Sequence, residues 1–228
     1  MEHSPHTVSD VMTRTVVAVG QEARFKEIVE TMEQYKVSAL PVLAGEGRVI
    51  GVVSEADLLP KEEFRGSELS RLEQARRLDD VRKAGGVTAR ELMSAPALTV
   101  HPGDTLAQAA RTMAHTSVKR LPVVDDEGLL RGIVSRSDLL KVFLRSDEEL
   151  AAEVRSDVLD RLFAGSAGEV EAVVTDGVVT LRGSFPTAAQ LPVAARLVRA
   201  VEGVVDVRLD VAGTTPAPTE PGSVAGPR

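Results

Sequence analysis

Two stretches of this sequence read almost alike: GVVSEADLL (Gly51–Leu59) and GIVSRSDLL (Gly132–Leu140). The agreement continues outward from them at a constant offset of 81 residues, so that Asp10–Leu59 aligns with Glu91–Leu140 without a gap. An internal repeat of this length indicates one structural unit that is built twice in the chain. The sequence leaves open whether it repeats only a fold or also a functional site.

Both copies keep the same pattern of apolar residues even where the letters differ. In the first copy, apolar residues at 25, 28, 29 and 32 have the spacing of one helix face, and the second copy keeps this spacing at 106, 109, 110 and 113. Each copy then has Leu-Pro-Val, at 40–42 and at 121–123. A proline there indicates a strand at a sheet edge or at a bulge. Each unit is therefore predicted to fold as strand, helix, strand, glycine turn, strand and closing helix.

The rest of the chain divides into a linker, a further domain and a tail. The linker is charged and ends in Gly85 and Gly86, which predicts a solvated connecting helix, with a partner-binding helix as the alternative. The segment after Arg145 has a helix, strand, strand, helix, strand pattern with a hairpin turn at Asp176-Gly177. The predicted parts are a first repeat domain (8–66), the linker helix (67–90), a second repeat domain (91–145), an αββαβ domain (147–212) and a disordered tail (213–228).

Composition excludes several classes of function. A net charge of −7 argues against general attraction to nucleic acid or to an anionic membrane. The N-terminal MEHSPHTVSD lacks a basic segment followed by an apolar run, and we therefore expect a cytoplasmic protein. The absence of cysteine removes thiolate catalysis and Cys-ligated zinc. The four scattered histidines and the lack of a P-loop or G-x-S-x-G motif predict a protein that is not an enzyme and has no metal site.

The repeated phrase has two chemical interpretations. The phrase has the pattern G-h-h-S-x-x-D, where h is an apolar residue and x is any residue. The serine ends a strand and the aspartate follows three residues later, which is the spacing of a capping box at a helix start. The same corner also suits a ligand, because a helix start favours anions and a carboxylate can accept two hydrogen bonds from the cis-diol of a ribose. Duplication would copy a cap as faithfully as a pocket, so both interpretations remain open at this point.

The two units, over about Val8–Val142, resemble CBS domains, which fold as β-α-β-β-α modules and associate in tandem as a Bateman module. The V-M-T and L-M-S starts, the Leu-Pro-Val strand and G-h-h-S-x-x-D carry the resemblance, each present twice in register. It implies an α/β (α+β) tandem pair with pseudo-two-fold symmetry that binds AMP, ADP or ATP in its cleft, with S-adenosylmethionine or NAD(H) as further candidates. The resemblance makes Ser54, Asp57, Ser135 and Asp138 the ribose candidates.

Phosphate candidates are distributed unevenly between the two copies. The resemblance implies a basic pair just before the Leu-Pro-Val strand, and Lys119-Arg120 has this position in the second copy. The first copy has Ser38-Ala39 there, and after the serine it has Glu55 where the second copy has Arg136. The resemblance implies that a pocket takes its ribose aspartate from one copy and its phosphate ligands from the other. Because guanidinium groups suit phosphate and a carboxylate repels it, we expect Asp57 with Lys119, Arg120 and Arg136 to form the stronger of two sites.

The last domain, over about Asp147–Val211, resembles a BON domain through its element order, VVTLRG after the hairpin turn, and LVRAVEGVVDV. That resemblance implies attachment to phospholipid or to a small ligand. The acidic composition and Pro192 near a helix start favour a docking surface or a dimer contact instead.

Two hypotheses of function follow. The leading one is a ligand-responsive, energy-sensing regulatory protein, homodimeric through the CBS pair, that relays nucleotide binding to a partner or to its own dimer through the BON domain. The alternative is a stress-related structural or envelope-docking protein in which the BON domain contacts lipid or a partner and the CBS pair is a dimerisation platform. Neither includes nucleic-acid binding, because the chain is acidic and lacks a basic recognition helix.

Overall fold

A computed structural model describes residues 6–65, 77–164, 170–185, 187 and 189–211. The chain forms two compact units, which divide between Leu139 and Leu140. The first unit contains, in order, α1 (Val8–Val11), β1 (Val19–Gly20), α2 (Phe25–Tyr35), β2 (Ala39–Ala44), β3 (Arg48–Ser54), α3 (Glu55–Leu58), α4 (Pro60–Glu63), α5 (Leu78–Gly85), α6 (Ala89–Leu92), α7 (Leu106–Thr116), β4 (Arg120–Val124), β5 (Leu130–Ser135) and α8 (Arg136–Leu139).

The two repeats build two small sheets of the same design. In the first, β2 pairs parallel with β1 and antiparallel with β3, and its register shifts between Val42 and Leu43. In the second, β4 pairs antiparallel with β5, and a parallel bridge joins Val100 to Val123 at the position equivalent to β1. Strand β1 has Val42 and Leu43 of β2 as its partners, so the missing N–H of Pro41 costs no bond in this ladder. The predicted mixed α/β fold with two equivalent halves is confirmed.

The start of each repeat packs into the other repeat. Ala89 and Leu92 of α6, which open the second repeat, are fully buried in the core of the first. Backbone hydrogen bonds also join the repeats. The N–H of Ala89 donates to the carbonyl of Ala23, and the N–H of Val8 donates to the carbonyl of Asp104, both at 2.8 Å. The two repeats therefore share their cores and fold as one unit.

The glycine that begins each repeated phrase allows the start of the other repeat to pack closely against it. A side-chain carbon added at Gly132 would lie 2.6 Å from the sulfur of Met12, and the carbonyl of Thr13 would be 3.1 Å away. The first repeat has the equivalent contact, with Met93 against Gly51 and the Ser94 carbonyl at 3.0 Å from such a carbon. Bridges between Thr13 and Ile133 and between Val52 and Ser94 join the same segments. The glycines thus allow each repeat's start to lie directly on the other repeat's strand.

Carboxylates hold the starts of α1 and α6. The N–H groups of Val87 and Thr88 donate to Glu91, at 2.8 and 3.0 Å, and keep the pKa of that carboxyl below its usual range. The backbone N–H and then the hydroxyl of Thr7 lower the pKa of Asp10 in the same way. These are capping boxes, so the starts of the two repeats have satisfied backbone donors.

The linker differs from the single helix that the sequence predicts. Helix α5 ends at Gly85 and Gly86 follows it, as predicted, but Thr88 then caps the separate helix α6, which belongs to the core of the first repeat. Residues 66–76 of the linker lie outside the described part of the chain. The limits 8–66, 67–90, 91–145 and 147–212 stay predictions, and the predicted disorder of 213–228 falls outside the described part of the chain.

The second unit has the predicted αββαβ order. A 3₁₀ segment (Leu140–Leu144) leads into α9 (Asp147–Glu153), a π-helical stretch (Val154–Leu159) and α10 (Asp160–Leu162). The unit continues with β6 (Val170–Thr175), β7 (Val178–Gly183), α11 (Gln190–Arg199) and β8 (Asp206–Val211). The sheet order is β6-β7-β8, with an antiparallel hairpin and a parallel last strand.

The π-helical stretch explains an unusual spacing in this unit. Leu150, Val154, Val158 and Leu162 are four residues apart, more than the 3.6 residues of an α-helical turn. An uninterrupted α-helix would rotate them gradually away from one face, whereas a π turn with i→i+5 bonds takes more residues. Leu150, Val154 and Val158 are accordingly all buried.

The close contact at Gly51 predicts a sharp effect of one methyl group. Gly51→Ala should destabilise the first unit by about 1–3 kcal/mol, because the added carbon overlaps Met93 and lies only 3.0 Å from the Ser94 carbonyl oxygen. The control is Gly103→Ala, since a carbon added at Gly103 meets nothing within 4 Å. Urea unfolding followed by circular dichroism measures both; equal stability of the two variants would contradict this close packing.

Candidate functional site

A cavity of about 510 Å³ lies between the two repeats, next to Asp57. Its volume is in the range of small-molecule sites, which are mostly apolar with a few placed polar groups. Both repeats contribute to its walls, and the strand crossing described above carries one wall, Ser94–Leu98, from the second repeat to the first. The lining residues are Ser38, Ala39, Val52, Ser54–Asp57, Leu59, Ser94–Leu98 and Ser117–Arg120.

Asp57 is buried, at 8% exposure, and both of its carboxylate oxygens are bound. Oδ2 accepts from the backbone N–H of Ser54 at 2.7 Å and from its hydroxyl at 2.6 Å. Oδ1 accepts from the ammonium of Lys83 and, at 3.0 Å, from the hydroxyl of Ser94. The capping interpretation of the phrase therefore holds for this structure, and the same carboxylate also lines the cavity.

The second copy of the phrase repeats this geometry. The backbone N–H and the hydroxyl of Ser135 donate to Asp138 Oδ2, at 2.9 and 2.6 Å, and Asp138 is buried at 9% exposure. Asp57 and Asp138 are the buried charged residues in the described part of the chain. Ser135 and Asp138 are not among the residues that line the cavity of Asp57. The structure thus keeps the two candidate ribose carboxylates at two separate places.

The predicted basic pair lies on the cavity of Asp57. Lys119 is exposed, and Arg120 is partly buried with its guanidinium donating to Ser38 Oγ at 2.7 Å. Opposite charges therefore occur on one cavity, with Asp57 from the first repeat and the cations from the second. Glu55 also lines this cavity, whereas the comparison of the two copies grouped it with Ser38-Ala39 at the weaker site.

Arg136 differs from the expectation that it joins Lys119 and Arg120. Its exposed side chain donates from Nε to the carbonyl of Val118 at 3.1 Å, and it does not appear among the residues lining the cavity of Asp57. The repeat explains this placement. Arg136 is equivalent to Glu55, and Glu55 lies beside Asp57, so Arg136 lies beside Asp138 in sequence and in fold.

Sequence reasoning missed Lys83 and Ser94 as neighbours of the candidate ribose carboxylate. Lys83 lies on α5 in the linker, and its ammonium also donates to Ser94 Oγ at 3.0 Å. Ser94 belongs to the L-M-S start of the second repeat, which packs against the first repeat. The sequence did not indicate this packing, and Ser94 was therefore not predicted to lie near Asp57. No motif marks Lys83, because it lies outside the aligned segments.

Within 6–65, 77–164, 170–185, 187 and 189–211, no cluster of three or more histidine, aspartate or glutamate side chains could hold a metal ion. Among the helices of those same ranges, none has the length and apolar character needed to span a membrane.

Two family models match the chain, and individual proteins are similar to it over about 60% of its length. The CBS domain model matches residues 8–61 and 89–145, and the BON domain model matches residues 146–213. The uncharacterized protein MJ1426 of Methanocaldococcus jannaschii is 28% identical over 153 residues, covering 60% of this chain and 90% of that protein. The chloroplastic CBS domain-containing protein CBSX2 of Arabidopsis thaliana is 29% identical over 157 residues, covering 63% of this chain and 66% of CBSX2.

A solved structure agrees with these matches. The crystal structure of CBSX2 in complex with AMP has 32% sequence identity and a TM-score of 0.54, and covers 61% of this chain and 97% of that one. The chain spans slightly less than two thirds of the full length of CBSX2 but nearly all of the part seen in that crystal. The chain therefore belongs to the CBS-domain proteins, with a tandem CBS pair that is followed by a BON domain.

Proposed function

We propose that this protein is a non-catalytic regulator that binds an adenine nucleotide in the cavity between its two CBS domains. One observation carries the proposal: Asp57, Lys119 and Arg120 line the same cavity although they come from different repeats. The carboxylate can accept hydrogen bonds from ribose hydroxyls, and the two cations can hold a phosphate. The similarity to CBSX2, which was crystallised with AMP, supports this choice of ligand.

The charges of the cavity rank the candidate ligands. Lys119 and Arg120 favour a ligand with phosphate, which ranks AMP, ADP, ATP and NAD(H) above S-adenosylmethionine, a cation without phosphate. Apolar side chains, among them Val52, Pro96 and Leu98, give the base a surface to pack on. The ligand is thus proposed to be a nucleotide that carries at least one phosphate.

We propose a weaker second site at Ser135 and Asp138. By the repeat, its positions equivalent to Lys119 and Arg120 are Ser38 and Ala39, so it lacks that basic pair. The cation proposed to contact phosphate at this second site is Arg136, which is equivalent in the repeat to Glu55 at the stronger site. The carboxylate of Glu55 repels phosphate and reduces the advantage of the Asp57 site, so the proposed inequality rests on the two cations Lys119 and Arg120.

We also propose how a bound nucleotide reaches an output. Ligand binding shifts an equilibrium only by its difference in affinity for two arrangements, so one arrangement of the CBS pair must bind better. The BON domain is the proposed relay to a partner chain or to a homodimer formed by the CBS pair. In support, Val193 and Leu197 lie one turn apart on α11 and are 47% and 42% exposed. A cytoplasmic location remains part of this proposal.

Nucleotide binding is tested by thermal unfolding with AMP, ADP, ATP, NADH and S-adenosylmethionine. A nucleotide at a hundredfold over its Kd should stabilise the protein by about 2.7 kcal/mol. Asp57→Ala should lose this increment, while Asp138→Ala, which removes the equivalent cap, should keep most of it. Calorimetry should give one tight site per chain; two equal sites would contradict the inequality, and no shift with any compound would remove the nucleotide proposal.

The role of the cations is tested with a ligand pair that differs only in phosphate. In Lys119→Gln/Arg120→Gln the affinity for AMP should fall about tenfold or more, because two charge-assisted contacts are lost. The affinity for adenosine should stay within about twofold, since adenosine has the ribose without the phosphate. Lys26→Gln is the control, because its exposed side chain pairs with Glu30 and is not among the residues that line this cavity. Equal losses of affinity for AMP and adenosine would mean that Lys119 and Arg120 support the fold and do not bind the phosphate.

The envelope-docking alternative makes a different prediction. If the BON domain binds lipid, the full chain should co-sediment with vesicles containing about one third anionic phospholipid, and Leu197→Glu should abolish this. The acidic net charge leads us to expect no co-sedimentation at physiological salt. Salt-independent co-sedimentation that Leu197→Glu removes would favour the alternative over the relay.

A further inference from the structure

Helix α5 contacts the candidate ribose carboxylate although it lies outside both repeats. Its Lys83 ammonium donates to Asp57 Oδ1 and, at 3.0 Å, to Ser94 Oγ. The ion pair is nearly buried, with 12% of the Lys83 side chain and 10% of the Asp57 side chain exposed. The linker is thus tied to the residue that the proposed function assigns to the ligand.

The acceptor capacity of Asp57 is fully used in this state. A carboxylate has about four lone-pair sites, and Asp57 receives four donors: the N–H and hydroxyl of Ser54, the hydroxyl of Ser94 and the ammonium of Lys83. Ribose hydroxyls can bind this carboxylate only if a donor leaves. The N–H of Ser54 is fixed by the backbone, whereas the ammonium of Lys83 sits at the end of a flexible stem.

The other contacts that hold α5 are weak, so the helix can detach when the pair between Lys83 and Asp57 is lost. The helix has no buried side chain along Leu78–Gly85. Lys61 donates to the carbonyl of Ala84 at 2.9 Å, and Arg77 pairs with Glu63 and stacks over the ring of Phe64 at 4.9 Å. The Arg77 contacts are partly exposed, and water weakens ion pairs and cation–π contacts at such positions. Loss of the nearly buried pair to Asp57 therefore removes a large part of what holds α5.

We propose that Lys83 and the ligand's ribose compete for Asp57, so that nucleotide binding releases α5 and docking of α5 lowers nucleotide affinity. This inference rests on the proposed function and names its regulation. By linkage, the factor by which docked α5 weakens binding equals the factor by which ligand weakens docking. The output of the site is then a linker helix that is held in the empty state and free in the bound state.

Lys83→Met tests the competition, because methionine fills similar space without the charge. Calorimetry should show that this variant binds adenosine about fivefold or more tightly than the wild type does. Adenosine is the primary probe, since removing a nearby cation also acts on a phosphate. Arg82→Met is the matched control: Arg82 lies on the same helix, is exposed and pairs with Asp79. It should change adenosine affinity by less than about twofold.

Hydrogen exchange tests the release of α5 directly. Saturating AMP should speed exchange of the amides at 78–85, and in Lys83→Met these amides should exchange fast with or without AMP. Weaker adenosine binding by Lys83→Met would mean that Lys83 positions Asp57 and would overturn the competition. Unchanged exchange in a wild type that calorimetry shows to be AMP-bound would overturn the release alone. Absence of AMP binding in calorimetry would instead refute the proposed function.

Discussion

The structure depends on a close backbone approach at two equivalent glycines. Met93 lies on Gly51 and Met12 lies on Gly132, and a side-chain carbon at either glycine would overlap the methionine and lie 3.0–3.1 Å from the neighbouring carbonyl oxygen. Because these contacts bring the start of each repeat onto the other repeat's strand, neither repeat has a complete core alone. The burial of Ala89 and Leu92 in the first repeat is the direct consequence.

The same crossing builds the candidate site. Ser94–Leu98 forms one wall of the cavity only because the second repeat's start lies against β3 of the first. The contact of Arg120 with Ser38 then joins the repeats at another wall. A cavity made of two halves changes shape when the halves move, which is the geometric requirement for a ligand to favour one arrangement.

Asp57 combines two roles that conflict. Its hydrogen bonds with Ser54 and its ion pair with Lys83 stabilise the empty state, since a buried carboxylate needs partners. A ligand that uses the carboxylate must replace some of these bonds with its own. The net free energy of ligand binding is therefore reduced by the bonds that Asp57 gives up. Because one of these bonds holds the linker helix, ligand binding and docking of α5 are coupled.

The sequence by itself determined the repeat, the helix faces, the αββαβ order of the last domain and the residue types at the phrase. Those features follow from local spacing, which a single sequence contains. The tertiary structure decided where those residues meet: that Lys119 and Arg120 share a cavity with Asp57, that Arg136 does not line it, and that Lys83 pairs with the carboxylate. The crossing of the two repeats and the docking of α5 bring together residues far apart in the chain, and no local pattern specifies such contacts.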